Sequence, residues 1–361
     1  MSGGSFSEEK AANHFLSEKK CCIEKEMQEN EIDLEHLAES LRDFEGVQRK
    51  KPIYDVTRLF GETESIGGRT VMGFGDDAAV LELDDECYVL LAIDGIWGRL
   101  LDADPWWAGY CAVLVNVNDI AAMGGMPVAM VNMTATQSRN VCEELVRGMR
   151  DGVQKFGVPM VGGHMHPDTP YDALDVAIVG IVKKGCVLLS NGAKPGDVLV
   201  IGIDVHGRVY PKFPLAWDST TLRSSAEVRK QRLTMVEIGE KCLATAAKDI
   251  SNPGTIGSVG MLLETSDVGG VVDLRAIPRA EGVPLEHWLK MYPGTGFVLS
   301  TESESAAKKC IEIFEAADVN AAIVGEVDSS KKLKISNGNN ETTVFDFNKD
   351  IITGIRKPAR R

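Results

Sequence analysis

Apolar runs of strand length alternate with longer segments of helical periodicity between residues 70 and 185. The pattern predicts strands at 89–93, 128–131 and 176–179, and helices at 106–123 and 141–156. This alternation is typical of a mixed α/β domain. At 361 residues the chain is too long for one ordinary core, so we expect two domains of about 150 residues each.

The domain boundary is predicted at residues 190–197, a segment dense in turn formers that precedes a new strand. The N-terminal domain then spans 31–190 and the C-terminal α/β domain spans 191–331. The second domain is expected to contain helices near 224–248, 255–266 and 303–317, and strands near 270–274 and 296–300. Residues 1–30 are expected to be a disordered extension, and residues 332–361 a peripheral polar tail.

The composition disfavours several classes of protein. No run of 18 apolar residues could span a bilayer, and a net charge of −14 disfavours a nucleic-acid surface, which needs clustered Lys and Arg. An acidic pocket can still hold a nucleotide when divalent cations lie between carboxylates and phosphate oxygens. Eight cysteines without a C-x-x-C pair are typical of reduced thiols in a cytoplasmic protein. The adjacent Cys21 and Cys22 are the one place where redox or metal chemistry is conceivable.

Three acidic clusters lie within residues 75–119. The turn Gly75-Asp76-Asp77-Ala78 combines a glycine, whose neighbouring N–H groups can cradle phosphate, with two adjacent carboxylates. Asp94 ends an apolar strand, and Asn118-Asp119 interrupts an apolar helix. A buried carboxylate needs a partner, and a helix cap or an arginine could serve for either acid singly. The three clusters together favour a metal site.

Two further segments could bind ligands. Asp249, Ser251 and Asn252 precede a predicted helix, where Ser251 or Asn252 caps the helix, Pro253 takes its first position, and the free N–H groups form an anion site. Helix capping alone would explain the same residues. His164 and His166, with Asp168 beyond, could bind a transition metal, because alternate residues of a strand share a face. They could equally be neutral hydrogen-bond partners of phosphate or substrate.

The order of these motifs resembles the aminoimidazole ribonucleotide synthase-related superfamily, over residues 45–330. That group includes thiamine-monophosphate kinase, a hydrogenase maturation factor that dehydrates a carbamoyl group, selenophosphate synthetase and formylglycinamidine ribonucleotide synthetase. The motifs that carry the resemblance are GFGDDAAV, AIDG, NVNDIAAMGGMPV, VGG, KPGD and KDIS. Within the superfamily, the segments DFEGV, DGIWG, KDISNPGTIG and WLKMYPG are most similar to the methanogenesis marker protein 2 family.

The resemblance implies a two-domain aminoimidazole ribonucleotide synthase-like fold with a C-terminal α/β sandwich. It implies a homodimer whose N-terminal sheets pair into a barrel, with ATP and Mg²⁺ bound near the interface. The implied metal ligands are Asp76, Asp77, Asp94 and Asp119. The implied catalytic residues are Asp94, Asp119 and His164. The implied nucleotide-binding residues are Gly75, Asp76, Asp77, Ala78, Asn118, Gly162, Gly163, Asp249, Ser251 and Asn252.

We therefore expect an ATP- and Mg²⁺-dependent phosphotransferase, or an ATP-driven activating enzyme, in the maturation of a methanogenesis-related cofactor or protein. The second substrate is either a small molecule or a maturation client. A thiamine-monophosphate kinase-like enzyme is an alternative, although Asn252-Pro253 replaces the acid and glycine of that family. Another alternative is a nucleotide-binding assembly protein without turnover.

Further departures from the relatives concern cysteines and one loop. No cysteine follows Cys310, unlike the hydrogenase factor, whose working cysteine ends the chain. Cys21-Cys22 lacks the glycine-rich setting of selenophosphate synthetase. The aromatic and proline-rich segment 210–221 is either an ordinary packed loop or a recognition loop over the second substrate. In the second case we expect substrate contacts from Lys212, Trp217 and Asp218.

Overall fold

The computed structural model of the chain describes residues 32–60 and 67–356. The expected extension at 1–30, with Cys21 and Cys22, lies outside these residues. The N-terminal unit contains α1 (Leu34–Arg42), α2 (Glu45–Gln48), α3 (Pro52–Thr57), β1 (Arg69–Met72), β2 (Ala79–Glu82), β3 (Cys87–Gly95), α4 (Gly98–Ala103), α5 (Pro105–Ala122), β4 (Met126–Ala135), α6 (Arg139–Phe156), β5 (Met160–His166) and β6 (Ala173–Lys183). The strands and helices expected between residues 89 and 179 are therefore all present.

The first sheet has six strands in the order β1-β2-β3-β6-β4-β5, and its β4–β5 pair is parallel while its other pairs are antiparallel. Along β3, Leu90 and Ala92 are buried against the helical layer, whereas Leu91 and Ile93 are exposed on the opposite face. This alternation follows from the two-residue period of a strand. Among the described residues, the outer face of this sheet is therefore apolar and uncovered.

The helices α5 and α6 pack against each other through two glycines. A Cβ atom on Gly109 would lie 2.1 Å from the carbonyl oxygen of Leu145, and one on Gly148 would lie 1.9 Å from that of Trp106. Both distances are far inside van der Waals contact, so the helices can approach this closely only where side chains are absent. The two glycines thereby set the position of α5.

The C-terminal unit is built on a seven-stranded sheet in the order β10-β13-β7-β14-β11-β15-β16, beside a small sheet β12-β9-β8. Its elements are β7 (Val198–Ile203), β8 (Arg208–Val209), β9 (Ala216–Asp218), α7 (Ser225–Glu240), β10 (Ala246–Asp249), α8 (Gly254–Ser266), β11 (Gly269–Asp273), a 3-10 turn (Leu274–Ala276), α9 (Leu285–Lys290), β12 (Tyr292–Pro293), β13 (Gly296–Thr301), α10 (Glu304–Glu315), β14 (Asn320–Asp328), β15 (Lys332–Ser336) and β16 (Glu341–Asp346). Among the described residues, no helix is long and apolar enough to cross a membrane.

Two expectations for this unit differ from the structure. The helix expected at 224–248 ends at Glu240, and residues Ala246–Asp249 form β10 instead, paired antiparallel with β13. Helix propensity of an alanine-rich segment is a weak preference, and pairing with a buried strand overrides it. Residues 332–346 are not peripheral but supply β15 and β16, with Leu333, Ile335 and Phe345 buried. In β15 the polar residues Lys332, Lys334 and Ser336 alternate with the buried Leu333 and Ile335, as expected of a strand with one face toward solvent.

Candidate active site

A cavity of about 550 Å³ is lined by residues of both domains. The acids that line it are Asp76, Asp77, Asp94, Asp119 and Asp249, and two lysines, Lys50 and Lys248, line it as well. The acids come from separate parts of the chain: the β1–β2 turn, the end of β3, the last turn of α5 and the end of β10. The structure therefore brings together the acids that the sequence spreads over more than 170 positions.

Asp76 anchors the glycine turn. Its carboxylate accepts hydrogen bonds from the backbone N–H of Ser190, at 2.8 Å, and of Asp77, at 3.0 Å. The Ser190 hydroxyl in turn donates to the carbonyl of Gly75, at 3.2 Å. Burial, followed by repulsion from Asp77, raises the pKa of Asp76 to about 7. These hydrogen bonds tie Asp76 to the backbone of the turn and of Ser190, and the carboxylate thereby holds the turn in place.

Asp77 joins the two domains at the cavity. One carboxylate oxygen forms an ion pair with Lys248, and the other accepts the backbone N–H of Asp249 at 3.1 Å. Burial lowers the pKa of Lys248, but attraction by Asp77, Asp249 and Asp76 outweighs it, and the pKa lies above its usual value. Lys248 is therefore a cation held among acids. No role for Lys248 was expected from its local sequence, although it directly precedes Asp249.

Carboxylate oxygens of Asp77, Asp119 and Asp249 all lie within 4.8 Å of one another. Asp94 lies close enough to Asp119 for the two carboxylates to repel each other. Burial raises the pKa of Asp94, and burial with repulsion from Asp94, Asp249 and Asp77 raises that of Asp119 well above its usual value. Burial and then Asp77 raise the pKa of Asp249 to about 8. The three shifts share their causes, with burial first and repulsion among the neighbouring acids after it.

The donor set fits a hard divalent cation. Mg²⁺ prefers oxygen ligands, and it is usually bound by one or two carboxylates together with water or phosphate oxygens. Asp77, Asp119 and Asp249 present such oxygens from three different elements. Of the four expected metal ligands, Asp77 and Asp119 thus belong to the tightest group, Asp94 lies close to Asp119, and Asp76 accepts hydrogen bonds from the backbone. Asp249, which was expected only at the nucleotide, joins the group.

Asn118 lies beside Asp119 and is hydrogen-bonded only through its amide nitrogen. Its Nδ2 donates to the carbonyl of Gly294 at 3.2 Å, and the same carbonyl accepts from the buried Arg232, at 2.7 Å. Among the described residues, Asn118 Oδ1 is buried and has no hydrogen-bond partner. The side chain therefore offers an acceptor at the cavity wall.

The segment before α8 lines the cavity with Ser251 and Asn252, as expected for a nucleotide contact. The expected cap is different: α8 begins at Gly254, and Pro253 is the N-cap, without a side-chain hydrogen bond. The N–H of Ser251 donates to the Ser258 hydroxyl at 3.2 Å. Among the described residues no side chain caps α8, so its first N–H groups have no side-chain acceptor.

The C-terminal segment forms another part of the wall. The buried carboxylate of Glu264 accepts the N–H groups of Ile352 and Thr353, at 3.1 and 2.8 Å, and the Thr353 hydroxyl at 2.9 Å. Thr353 and Ile355 line the cavity. A Cβ atom on Gly75, whose φ is +112°, would lie 2.4 Å from Ile355, so only glycine fits there. Glu264 thus holds this strap, residues 352–355, against the glycine turn.

The structure does not bring Gly162, Gly163 and His164 into the cavity. They lie on the edge strand β5, where Gly163 aligns through Asn132 and Val176 with Asp94. Three strand spacings separate the ends of this row, or about 14 Å. His164 is exposed on the outer face of the sheet, and its ring meets that of His166 edge-on, with centroids 4.7 Å apart.

The loop at 210–221 contributes only in part. Trp217 lines the cavity, but Lys212 pairs with Asp104 at 3.1 Å. Asp218 is buried, and it accepts the Thr221 N–H at 3.0 Å and pairs with Arg208 at 3.1 Å. Lys212 and Asp218 therefore hold the loop in place, because their charges are already paired within the protein.

Comparisons with protein families cover most of the chain. The profile of the AIR synthase related protein N-terminal domain matches residues 75–182, and that of the C-terminal domain matches residues 194–336. A Methanocaldococcus jannaschii protein described as uncharacterized is 50% identical over 90% of this chain and 100% of its own length. A Synechocystis sp. protein of the same description is 34% identical over 86% of this chain and 94% of its own. Selenide, water dikinase of Myxococcus xanthus is 26% identical over 79% and 93% of the two chains.

Solved structures share the fold. Thermotoga maritima PurL complexed with ATP has a TM-score of 0.65 at 20% identity, covering 79% of this chain and 48% of that one. A chain of the HypE-HypF complex has a TM-score of 0.60 at 20% identity, covering 81% and 98%. AaThiL complexed with AMPPCP and TMP has a TM-score of 0.58 at 18% identity, covering 81% and 95%. The chain spans about half the length of the PurL chain it matches. These likenesses confirm the expected two-domain α/β fold.

Proposed function

The chain belongs to the AIR synthase related protein family, and from this premise we propose that it is an ATP- and Mg²⁺-dependent phosphotransferase or ATP-driven activating enzyme. The observation that carries the proposal is the meeting of Asp77, Asp119 and Asp249 within 4.8 Å in one cavity. The names of relatives support it, because PurL is complexed with ATP, AaThiL with AMPPCP, and one relative is a dikinase.

In this proposal Asp77, Asp119 and Asp249 bind Mg²⁺, and Asp94, close to Asp119, adds negative charge beside the ion. Bound Mg²⁺ supplies neutralisation of phosphate charge and alignment of the transferred group with the attacking oxygen. Lys248 compensates the charge of Asp77 through their ion pair. With Mg²⁺ bound, the charge of Asp77 would be compensated by the ion, and the ammonium group of Lys248 could then bind a phosphate oxygen.

The nucleotide is expected to contact backbone groups on two sides of the acids. The Gly75–Ala78 turn, anchored by Asp76, presents N–H groups from one side, and the segment with Ser251 and Asn252 presents them from the other. The positive end of the α8 dipole lies at the same segment, and the first N–H groups of α8 are not capped by a side chain. Positioning and charge would then provide most of the rate enhancement.

We further infer a homodimer formed through the outer face of the six-stranded sheet. Leu91, Ile93, Val131 and Ile181 are exposed on this face, and contiguous apolar surface of this kind marks an interaction site. His164 lies on the same face, so in such a dimer it would point toward the partner subunit. This arrangement would let β5, with Gly162 and Gly163, act at the partner's cavity.

The similarity to the methanogenesis marker protein 2 family supports a finer proposal, in which the acceptor belongs to the maturation of a methanogenesis-related cofactor or protein. The match rests on the segments DGIWG, KDISNPGTIG and WLKMYPG, all of which contribute residues to the cavity. A screen of metabolites and maturation clients for stimulated ADP release would identify the acceptor.

Nucleotide binding tests the proposal first. MgATP should stabilise the purified protein against thermal unfolding, and EDTA should remove the Mg²⁺-dependent part of that stabilisation. Asp119→Asn and Asp249→Asn should remove the same part, whereas Asp85→Asn, at an exposed acid outside the cavity, should leave it unchanged. Stabilisation whose Mg²⁺ dependence survives in both cavity variants would overturn the proposed site.

A further inference from the structure

Helix α5 lines the cavity along most of its length. Five residues of α5 that face the cavity stand at intervals of four, three, four and one positions, which places their side chains on one side of the helix. They are Trp107, Cys111, Leu114, Asn118 and Asp119. With a rise of 1.5 Å per residue, Trp107 lies about 18 Å from Asp119 along the helix axis. The cavity therefore has an acidic end, at Asp119, and a second end some distance away, at Trp107.

The second end is apolar and aromatic. Its walls include Ile96, Trp97, Leu100 and Tyr292, and the ring of Trp107 stacks on that of Tyr210, with centroids 4.1 Å apart. The nearest carboxylate, that of Asp104, is already bound by the Tyr210 hydroxyl and by Lys212. The cations nearest to this end, Arg49 and Arg99, lie over the ring of Trp97, at 4.4 and 5.4 Å from its centroid.

One polar atom at the apolar end has no partner. Trp107 is 2% exposed, and among the described residues its indole Nε1 donates no hydrogen bond. Its neighbour Trp106 behaves in the usual way, donating from Nε1 to Asp151 at 2.9 Å. Buried polar groups nearly always find a partner, and a ligand that fills the cavity is the simplest partner for a donor in its wall. The free acceptor Asn118 Oδ1 lies at the other end of the same helical stripe.

We propose that the apolar end is a subsite for a flat ring that carries a hydrogen-bond acceptor on its edge, which accepts from Trp107 Nε1. The inference rests on the proposed function for the acidic end, since the ring would belong to a molecule that also reaches the carboxylates. The ring can come from two sources, the base of the nucleotide or the second substrate. The distance of about 18 Å suits an elongated ligand in either case.

Two ring probes of equal shape test the subsite directly. Quinoline has a ring nitrogen that can accept a hydrogen bond, and naphthalene has the same outline without it. The wild-type protein should bind quinoline more tightly, and Trp107→Phe should weaken quinoline binding about five- to tenfold while changing naphthalene binding less than twofold. Trp106→Phe is the matched control, because it removes a neighbouring indole whose N–H is already paired. Equal binding of both probes to wild type and Trp107→Phe would overturn the proposal.

A second variant tests the same subsite in case Trp107→Phe does not fold. Cys111→Phe enlarges a side chain that lines the same end without changing Trp107 Nε1. It should exclude both probes to a similar degree. Unchanged binding of both probes in a folded Cys111→Phe protein would also overturn the proposal.

The source of the ring follows from competition. If quinoline and MgATP exclude each other, and Trp107→Phe weakens MgATP but not magnesium tripolyphosphate, the base of the nucleotide occupies the subsite. If quinoline binds equally well with MgATP present, the second substrate occupies it. Tripolyphosphate also separates the two proposals: its failure to stabilise the wild-type protein would count against the metal–phosphate site, whereas the probe pair tests the ring subsite alone.

Discussion

Asp77 and Lys248 form an ion pair across the domain boundary, with side chains that are only 3% and 5% exposed. Asp77 comes from the β1–β2 turn of the first domain, and Lys248 from β10 of the second. The pair therefore couples the alignment of the two domains to the charge balance of the cavity. Removing either partner leaves the other as a buried charge without compensation.

Lys248→Met should lower the free energy of unfolding by about 3 kcal/mol in the absence of Mg²⁺, because it leaves the buried acids uncompensated. Urea unfolding in EDTA measures this loss. Lys308→Met, which removes an exposed ion pair with Glu304, should cost less than about 1 kcal/mol. If Lys248→Met is equally costly in an Asp77→Asn background, the two residues are not coupled and the interpretation is wrong.

The stability of the metal-free protein should fall as the pH rises. Unfolded carboxyl groups have a pKa of about 4, whereas those of Asp76 and Asp249 are raised to about 7 and about 8. Between these values the folded protein binds more protons than the unfolded chain, so the free energy of unfolding decreases from about pH 4 to about pH 8. Urea titrations in EDTA across this range measure the slope. Asp249→Asn should flatten it, whereas Asp85→Asn should not.

Mg²⁺ should bind more tightly as the pH rises over the same range. A metal ion binds the ionised carboxylates, so binding to a cluster with raised pKa values must release protons. Calorimetric titrations in two buffers with different ionisation enthalpies measure that release. Mg²⁺ affinity that does not change between pH 6 and pH 8.5 would contradict the assignment of these acids as its ligands.

Glu264→Gln should loosen the strap at 352–355. The carboxylate accepts three hydrogen bonds from Ile352 and Thr353, and an amide would turn a donor toward some of these donors. Hydrogen bonds to a charged group contribute about 1.5 to 3 kcal/mol, so we expect a loss of about 2 kcal/mol and faster proteolysis near residue 353. The exposed Glu304→Gln serves as the control. A strap that resists protease equally in both variants would argue against this role of Glu264.

Val131→Glu should produce a monomer if the outer sheet face is a dimer interface. Val131 is 43% exposed on the apolar face and is not among the residues that line the cavity, and a buried charge there would be unpaired in the dimer. Light scattering and sedimentation report the change in mass. Leu233→Glu is the matched control, since Leu233 is 46% exposed but lies in the other domain. A wild-type protein that is already monomeric at micromolar concentration would refute the interface.

Much of the acidic site could be predicted from the chain itself, for a local reason. Asp94 follows an apolar strand and Asp119 interrupts an apolar helix, so each is placed in the interior by its own neighbours. Strands and helices of an α/β unit then meet at few places, which is why acids distant in sequence share one cavity. The glycine turn could be predicted for the same reason, because its pattern of a glycine followed by two acids lies within a few residues of Gly75.

The remaining features depend on contacts between distant segments. Lys50 reaches the cavity from the start of the described chain, and the strap with Ile355 reaches it from the other end. Neither has a local pattern that marks it. The strand at Ala246–Asp249 looked helical because its alanines favour helices, and only its pairing with β13 makes it a strand. The order of the motifs led to the prediction that His164 belongs to the site, but strand pairing places it on the outer face of the sheet.

The close contact of α5 with α6 through Gly109 and Gly148 has a consequence for how such a protein can change over evolutionary time. Any larger residue at either position would push α5 aside, and α5 carries both Trp107 and Asp119. Selection on the chemistry of the cavity would therefore act on two glycines that no ligand touches. A lineage that lost one of them would have to rebuild both ends of its binding site at once.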